Sequence, residues 1–239
     1  MKKSFLSFFL LLGLAISPYA QKTINDANAE KRTVGSFHGI DVATGIELLL
    51  TKGATEEVAV SASEAEYRNK IVTEVVNGIL KIHYETKTGA INKVNQSKNL
   101  KAYVSYKALD ELKVTTGAEV QIDGVFEALK LELTVNTGGI VKGEVNIGDL
   151  DVEQNTGSKI TLSGKVNNLA AEGDTGSKFM GENLNTITCK VEMSTGAGLY
   201  ISVEKELNVK ANTGGYIKYK GNAGIREIKT NTGGTVSKI

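Results

Sequence analysis

The chain contains one cysteine, one proline and no tryptophan, and aromatic residues make up only 6% of its 239 positions. A single cysteine rules out an internal disulfide, so an exported protein of this composition must be held together by packing alone. With one proline, long stretches are free to pair as strands. An excess of one charge sign is also missing. The 28 basic and 27 acidic residues leave a net charge of +1, too little to build a long-range field for nucleic acid or an anionic membrane. No Gly-x-Ser-x-Gly, phosphate loop or dinucleotide fingerprint occurs. The two histidines, His38 and His83, have no Cys/His/Asp spacing of a metal site. Hydrolase, kinase and oxidoreductase readings therefore have no residues to stand on, and no cofactor is expected.

What the sequence does have is one short phrase, repeated. Thr116-Gly117-Ala118 returns as Thr137-Gly138-Gly139, Thr156-Gly157-Ser158, Thr175-Gly176-Ser177, Thr195-Gly196-Ala197, Thr213-Gly214-Gly215 and Thr232-Gly233-Gly234. The steps between threonines are 21, 19, 19, 20, 18 and 19 residues, a period that signals a solenoid. Four residues before the threonine stand Leu112, Leu133, Val152, Ala171, Val191, Val209 and Ile228. Four after it stand Val120, Val141, Ile160, Phe179, Leu199, Ile217 and Val236. Six before it, Leu131, Leu150, Leu169, Cys189 and Leu207 form a third apolar column, broken by Asp110 and Arg226 at its ends. Polar residues alternate with these columns, so each repeat should hold two half-buried strands around a glycine turn. The residue before threonine is Thr115, Asn136, Asn155, Asp174, Ser194, Asn212 or Asn231, side chains that suit turns. The glycine answers either to a positive φ or to a place where no side chain fits. Seven rungs at roughly 4.8 Å each would make a rod of about 30 Å.

In chain order, residues 1–20 read as an export signal: Lys2 and Lys3, an apolar run from Phe5 to Ile16, then Ser17-Pro18-Tyr19-Ala20. Cleavage is expected after Ala20, with no cysteine following to carry a lipoprotein anchor. The later apolar runs are only strand-length, so no transmembrane segment is expected in the mature protein. Residues 21–32 form a polar leader, and 33–239 a single β-helix domain, irregular over 33–106 and regular over 107–239. Ala43-Thr44-Gly45 resembles a degenerate first copy, with Ile40 and Leu48 at the two apolar columns. Glu64 to Val75 holds the one plausible helical turn, and Thr86 to Asn99 is expected to be an exposed loop. The 72 residues from Thr44 to Thr116 leave room for three to four irregular turns.

The Asn-Thr-Gly-Gly phrases, the export signal, the opening Phe37-His38-Gly39-Ile40-Asp41-Val42 and the later Gly78-Ile79-Leu80-Lys81-Ile82 together resemble the head GIN domain proteins of Bacteroidetes, called auto-transporter adhesins. The resemblance covers nearly the whole chain after the signal. It implies a right-handed parallel β-helix in the cell envelope, and it supplies no catalytic residues.

Three surface features bear on function. Glu153, Glu172 and Glu192 share one outward position in successive rungs, with Glu132 and Asp151 two residues earlier in theirs and Asp174 in the turn column. Stacked like charges repel unless a cation or base lies between them. Calcium or a carboxylate mechanism for polysaccharide cleavage would use such a patch; a solvated acidic face offset by Lys159 and Lys178 is the favoured reading. Tyr200 and Tyr216 face outward on adjacent rungs and could stack on sugar rings, or simply stabilise strands. Tyr219 and Cys189 fall in inward columns and should be packing residues.

The expected function is that of an exported, non-enzymatic β-helix presenting an elongated surface for adhesion or for binding a glycan or envelope polymer. It would lie in the periplasm, on the outer-membrane surface or outside the cell. A pectinase-like polysaccharide-degrading enzyme and a self-assembling structural protein are the alternatives. The last of these has an uncapped C-terminal rung pairing with a second copy.

Overall fold

The computed structural model describes residues 26–85 and 97–239. The export signal and the larger part of the expected 86–99 loop lie outside the described residues. The rest is a parallel β-solenoid of about seven turns, as the repeat implied. Its strands are β1 (Glu30–Arg32), β2 (Gly39–Val42), β3 (Glu47–Lys52), β4 (Glu57–Ser61), β5 (Ile71–Val76), β6 (Ile79–Tyr84), β7 (Lys101–Tyr106) and β8 (Glu111–Val114). They continue as β9 (Glu119–Val135), β10 (Ile140–Gln154), β11 (Lys159–Gly173), β12 (Lys178–Met193), β13 (Gly198–Ala211), β14 (Tyr216–Lys220), β15 (Gly224–Thr230) and β16 (Thr235–Lys238). One short helix, α1 (Ala65–Arg68), occupies the expected helical stretch.

The three apolar columns are the core. Val141 pairs with Val120 and Ile160, Ile160 with Phe179, Phe179 with Leu199 and Leu199 with Ile217, all parallel and in register. These six side chains are at most 1% exposed. Polar neighbours at alternate positions point outward, as a two-residue side-chain period demands. The variable period is absorbed away from the corner. β9 holds two extra residues opposite Lys142/Glu144, and β12 one extra opposite Thr161/Ser163, so every Thr-Gly corner stays aligned.

The break in the third column at Arg226 is a register effect. Ile225, not Arg226, pairs with Leu207, because the strand shifts at the next position. Arg226 then points outward and donates to Glu206 at 2.7 Å. At the other end Leu109 is buried, while the exposed Asp110 carboxylate meets His38 Nδ1 at 2.7 Å.

Thr44-Gly45 is a true copy of the corner. Ile40 pairs with Leu112 and Leu48 with Val120, and Thr44 and Gly45 have φ of 62° and 69°. The expectation of three to four irregular turns between Thr44 and Thr116 does not hold. That stretch adds a single coil, β6 with β7, and it stacks on the outer side of β2 and β3. The β2–β3 turn is therefore sandwiched between a coil that follows it in sequence and the coil of β8 and β9. Antiparallel strands close this end: β5 along β6, β4 along β7, and β1 along β4. The β5–β6 hairpin turns through Asn77-Gly78, both at positive φ, the residue pair that a two-residue hairpin favours. At the opposite end Ile225 and Ile228 are 51% and 43% exposed.

Candidate functional site

The corner organises the two faces that meet at it. In Asn136-Thr137-Gly138-Gly139 the N–H of Gly139 donates to the Asn136 carbonyl at 3.0 Å. Thr137 and Gly138 have φ of 49° and 72°. Two positive φ values with this bond are the signature of a type I′ turn. The turn peptides also bond between rungs. Gly138 N–H donates to the Thr156 carbonyl, Gly157 to Thr175, Gly176 to Thr195, Gly196 to Thr213 and Gly214 to Thr232, all at 3.0 to 3.1 Å. Gly117 donates likewise to Thr137, and Gly45 to Thr116. Threonine and glycine of the seven regular corners are exposed, whereas the small residue that follows is buried from Ala118 through Gly215.

The turn column adds side-chain bonds. The amides of Thr137, Thr156 and Thr175 donate to Asn136, Asn155 and Asp174 Oδ1 at 2.7 Å. A further bond from the Thr195 hydroxyl of the next rung, together with the Thr175 amide, holds the Asp174 carboxyl below its ordinary value.

On the face before the corner, Glu153 pairs in register with Thr134 and Glu172, and Glu172 with Glu192. Glu132 and Asp151 lie two residues back as expected, and Lys130 reaches Glu132 at 2.5 Å. The base that offsets the column is Lys210 on the next rung, 3.6 Å from Glu192, and Asn212 donates to Glu192 at 3.4 Å. Lys159 and Lys178, expected to offset the column from across the turn, do stand on the other face, and neither forms an ion pair among the described residues. Among the described residues no group of three or more His, Cys, Asp or Glu side chains is placed to hold a metal. A surface groove of about 480 Å³ on this face is lined by Asp149, Asp151, Lys130 and Lys190 among others. Glu153, Glu172 and Glu192 do not line it.

The face after the corner carries basic and aromatic groups. Three residues past the threonine stand Lys159, Lys178, Gly198 and Tyr216; five past it stand Lys142, Thr161, Met180, Tyr200 and Lys218. Tyr200 and Tyr216 meet edge to face with centroids 6.0 Å apart, a favoured aromatic geometry. Gly198 makes this possible, since a Cβ there would stand 2.0 Å from the Tyr216 ring. Lys178 Nζ and Lys218 Nζ lie 5.8 and 5.4 Å from the Tyr200 centroid, within cation–π reach. Sequence reasoning found the two tyrosines, took Lys178 only as a counter-charge to the glutamates, and missed Lys218 and Gly198. Reading the outward columns down the rungs as the inward ones were read would have brought them together. A second groove of about 480 Å³, lined by Lys142, Lys159, Thr161, Met180, Glu182 and Asn183 among others, lies on the same face.

Cys189 and Tyr219 are buried as expected, and burial pushes the Cys189 thiol up to about 12. His83 pairs within the β5–β6 hairpin opposite Val72. No helix among the described residues is long and apolar enough to cross a membrane.

Stacked coils with glycine corners and open side faces define a β-solenoid protein. The chain belongs to the family described as "Putative auto-transporter adhesin, head GIN domain", whose family model matches residues 36–223. Solved structures share the fold. A crystal structure described as "a putative adhesin" from Bacteroides fragilis NCTC 9343 is 17% identical, with a TM-score of 0.79 over 88% of this chain and 96% of that one. One from Parabacteroides merdae ATCC 43184 is 16% identical, with a TM-score of 0.68 over 88% and 95%. A "Putative lipid binding protein" from Parabacteroides distasonis ATCC 8503 is 15% identical, with a TM-score of 0.66 over 90% and 98%. No curated protein matches.

Proposed function

We propose that the protein is an exported, non-enzymatic binding protein of the cell envelope that engages glycan chains along the face after the corner. The observation that carries this reading is the aromatic pair of Tyr200 and Tyr216, seated on adjacent rungs of an open side face beside a shallow groove. A half-buried tyrosine ring offers an apolar plate to the C–H face of a pyranose and a hydroxyl to its rim. Adhesin-like family membership and the Lys2-to-Ala20 signal pattern support export. The acidic column supports no cleavage mechanism, because its glutamates stack in one open row and line neither groove.

The test is binding of the purified protein to a broad glycan array, with and without calcium. Binding is expected in both conditions, and Tyr216→Ala should weaken it about tenfold, the equivalent of about 1.4 kcal/mol. An array that stays blank in both conditions would overturn the reading. Signal that appears only with calcium would move the site to the Glu153, Glu172 and Glu192 column.

A further inference from the structure

The lysines around Tyr200 narrow the ligand class. Lys178, Tyr200 and Lys218 come from three successive rungs, since Met180 of the Lys178 rung pairs with Tyr200 and Tyr200 with Lys218. Both ammonium groups lean toward the same ring. Among the described residues, neither they nor Lys159 form an ion pair, whereas Lys142 on this face is bound to Glu119 at 2.6 Å. A row of lysines repels itself along a sheet unless something of opposite charge lies on it. Here the stabilising partner inside the chain is only a ring quadrupole, which holds a cation without neutralising it. The glutamates that would balance these charges are on the far side of the corner, paired in part with Lys210. At a net charge near zero, the glutamate column thus stands before the corner, and the unpaired Lys159, Lys178 and Lys218 stand with the aromatic pair after it.

We propose that the face formed by Lys159, Lys178, Tyr200, Tyr216 and Lys218 is a binding site for an acidic polysaccharide, one whose sugar units carry carboxylates. The inference rests on the glycan-binding reading and assigns its chemical class. Tyr200 orients Lys178 and Lys218, two rungs apart, toward carboxylates on sugars two units apart, and Tyr216, seated over Gly198, takes the apolar face of a ring. Successive rungs advance roughly 4.8 Å, close to the advance of one sugar unit in an extended polysaccharide. An acidic chain lying along the solenoid axis would therefore place a carboxylate near each lysine in turn.

The experiment is isothermal titration of the purified protein with a polygalacturonate decamer, with a neutral galactan decamer of equal length, and with vesicles of anionic phospholipid. The acidic decamer should bind, weaken steeply as salt is raised toward about 0.5 M through screening, and lose at least tenfold in affinity in the Lys178→Ala/Lys218→Ala double variant. Lys229→Ala, on the other face, should leave affinity unchanged. The conservative Lys218→Arg should retain binding that Lys218→Ala loses. Equal binding of the neutral decamer, or acidic binding indifferent to the double variant, would overturn this assignment and leave the glycan-binding reading standing. Binding to the vesicles and to neither decamer would overturn both, as would no binding to any of the three.

Discussion

Thr156 is a β-branched residue held at a φ of 49°, a region where such side chains are outliers and strain of about 1–3 kcal/mol is usual. The same holds at Thr44 and at the threonine of the other six corners. Part of the offset is visible: the Thr156 amide donates to Asn155 Oδ1 at 2.7 Å, and its carbonyl accepts the Gly138 N–H at 3.0 Å. Asparagine enters this region more readily, so Thr156→Asn should raise the urea midpoint, worth about 1 kcal/mol, with an unchanged slope. Gly157 is the reverse case. Nothing lies within 4 Å of where its Cβ would stand, yet its φ is +69°, so the residue is chosen by conformation and not by space. Gly139 is chosen by space, because a Cβ there would meet the Val114 carbonyl at 2.5 Å. Gly157→Ala should cost about 1 kcal/mol and Gly139→Ala more. A Gly157→Ala protein as stable as its parent would mean that the corner does not hold positive φ in solution.

Within single coils, the inward side of the corner between Gln154, Ser158 and Ser177 is polar and buried, and these side chains find no hydrogen-bond partner among the described residues. Their column-mates Val135, Met193, Ala118 and Ala197 are apolar and equally buried. The elements are otherwise uniform, and that uniformity explains what was legible. A period-two pattern anchored on an invariant Thr-Gly identified the inward columns from Leu112 to Ile217, because these rungs repeat the same burial; in the last rung Ile228 is exposed. Register shifts such as the one that puts Ile225 in place of Arg226 were hidden, since one extra residue leaves no mark in composition. The seating of Tyr216 over Gly198 was hidden too, as it joins residues 18 apart through a pairing that only the stacked coils create. Where β8 begins, the Asp110 carboxylate raises the pKa of His38 above the model-compound value of 6.5 through a hydrogen bond and its charge. A raised imidazole contributes stability in full below pH 6.5 and loses it as pH climbs through the folded value. The His38 ring resonances should therefore titrate above 6.5, and Asp110→Asn should bring the midpoint back down; an identical midpoint in both proteins would remove the pair from the join between β2 and β8.

Across the whole molecule the two ends differ. One is closed by antiparallel strands and by Arg68, which binds Glu30 at 2.9 Å; the other presents Ile225 and Ile228 on edge strands. An exposed apolar strand edge recruits another, and a second copy of the chain offers the same edge. Mass measured by light scattering should rise with protein concentration, and Ile228→Lys should hold the protein monomeric. A mass that stays monomeric at high concentration in the parent protein would count against pairing through this end.

The sandwiched β2–β3 turn also sets an order in time. From β9 onward, each coil finds its neighbour about 19 residues along the chain, but β2 meets β6 only at Ile79 to Ile82 and joins the coil of β8 and β9 through residues 72 positions later. Closing the longer loop costs about 1.2 kcal/mol more in chain entropy, and non-local pairings of this kind slow folding. The middle coils can therefore zip together first and serve as the template on which the N-terminal strands arrive. In that order the β2–β3 turn becomes structured after coils that follow it in the sequence.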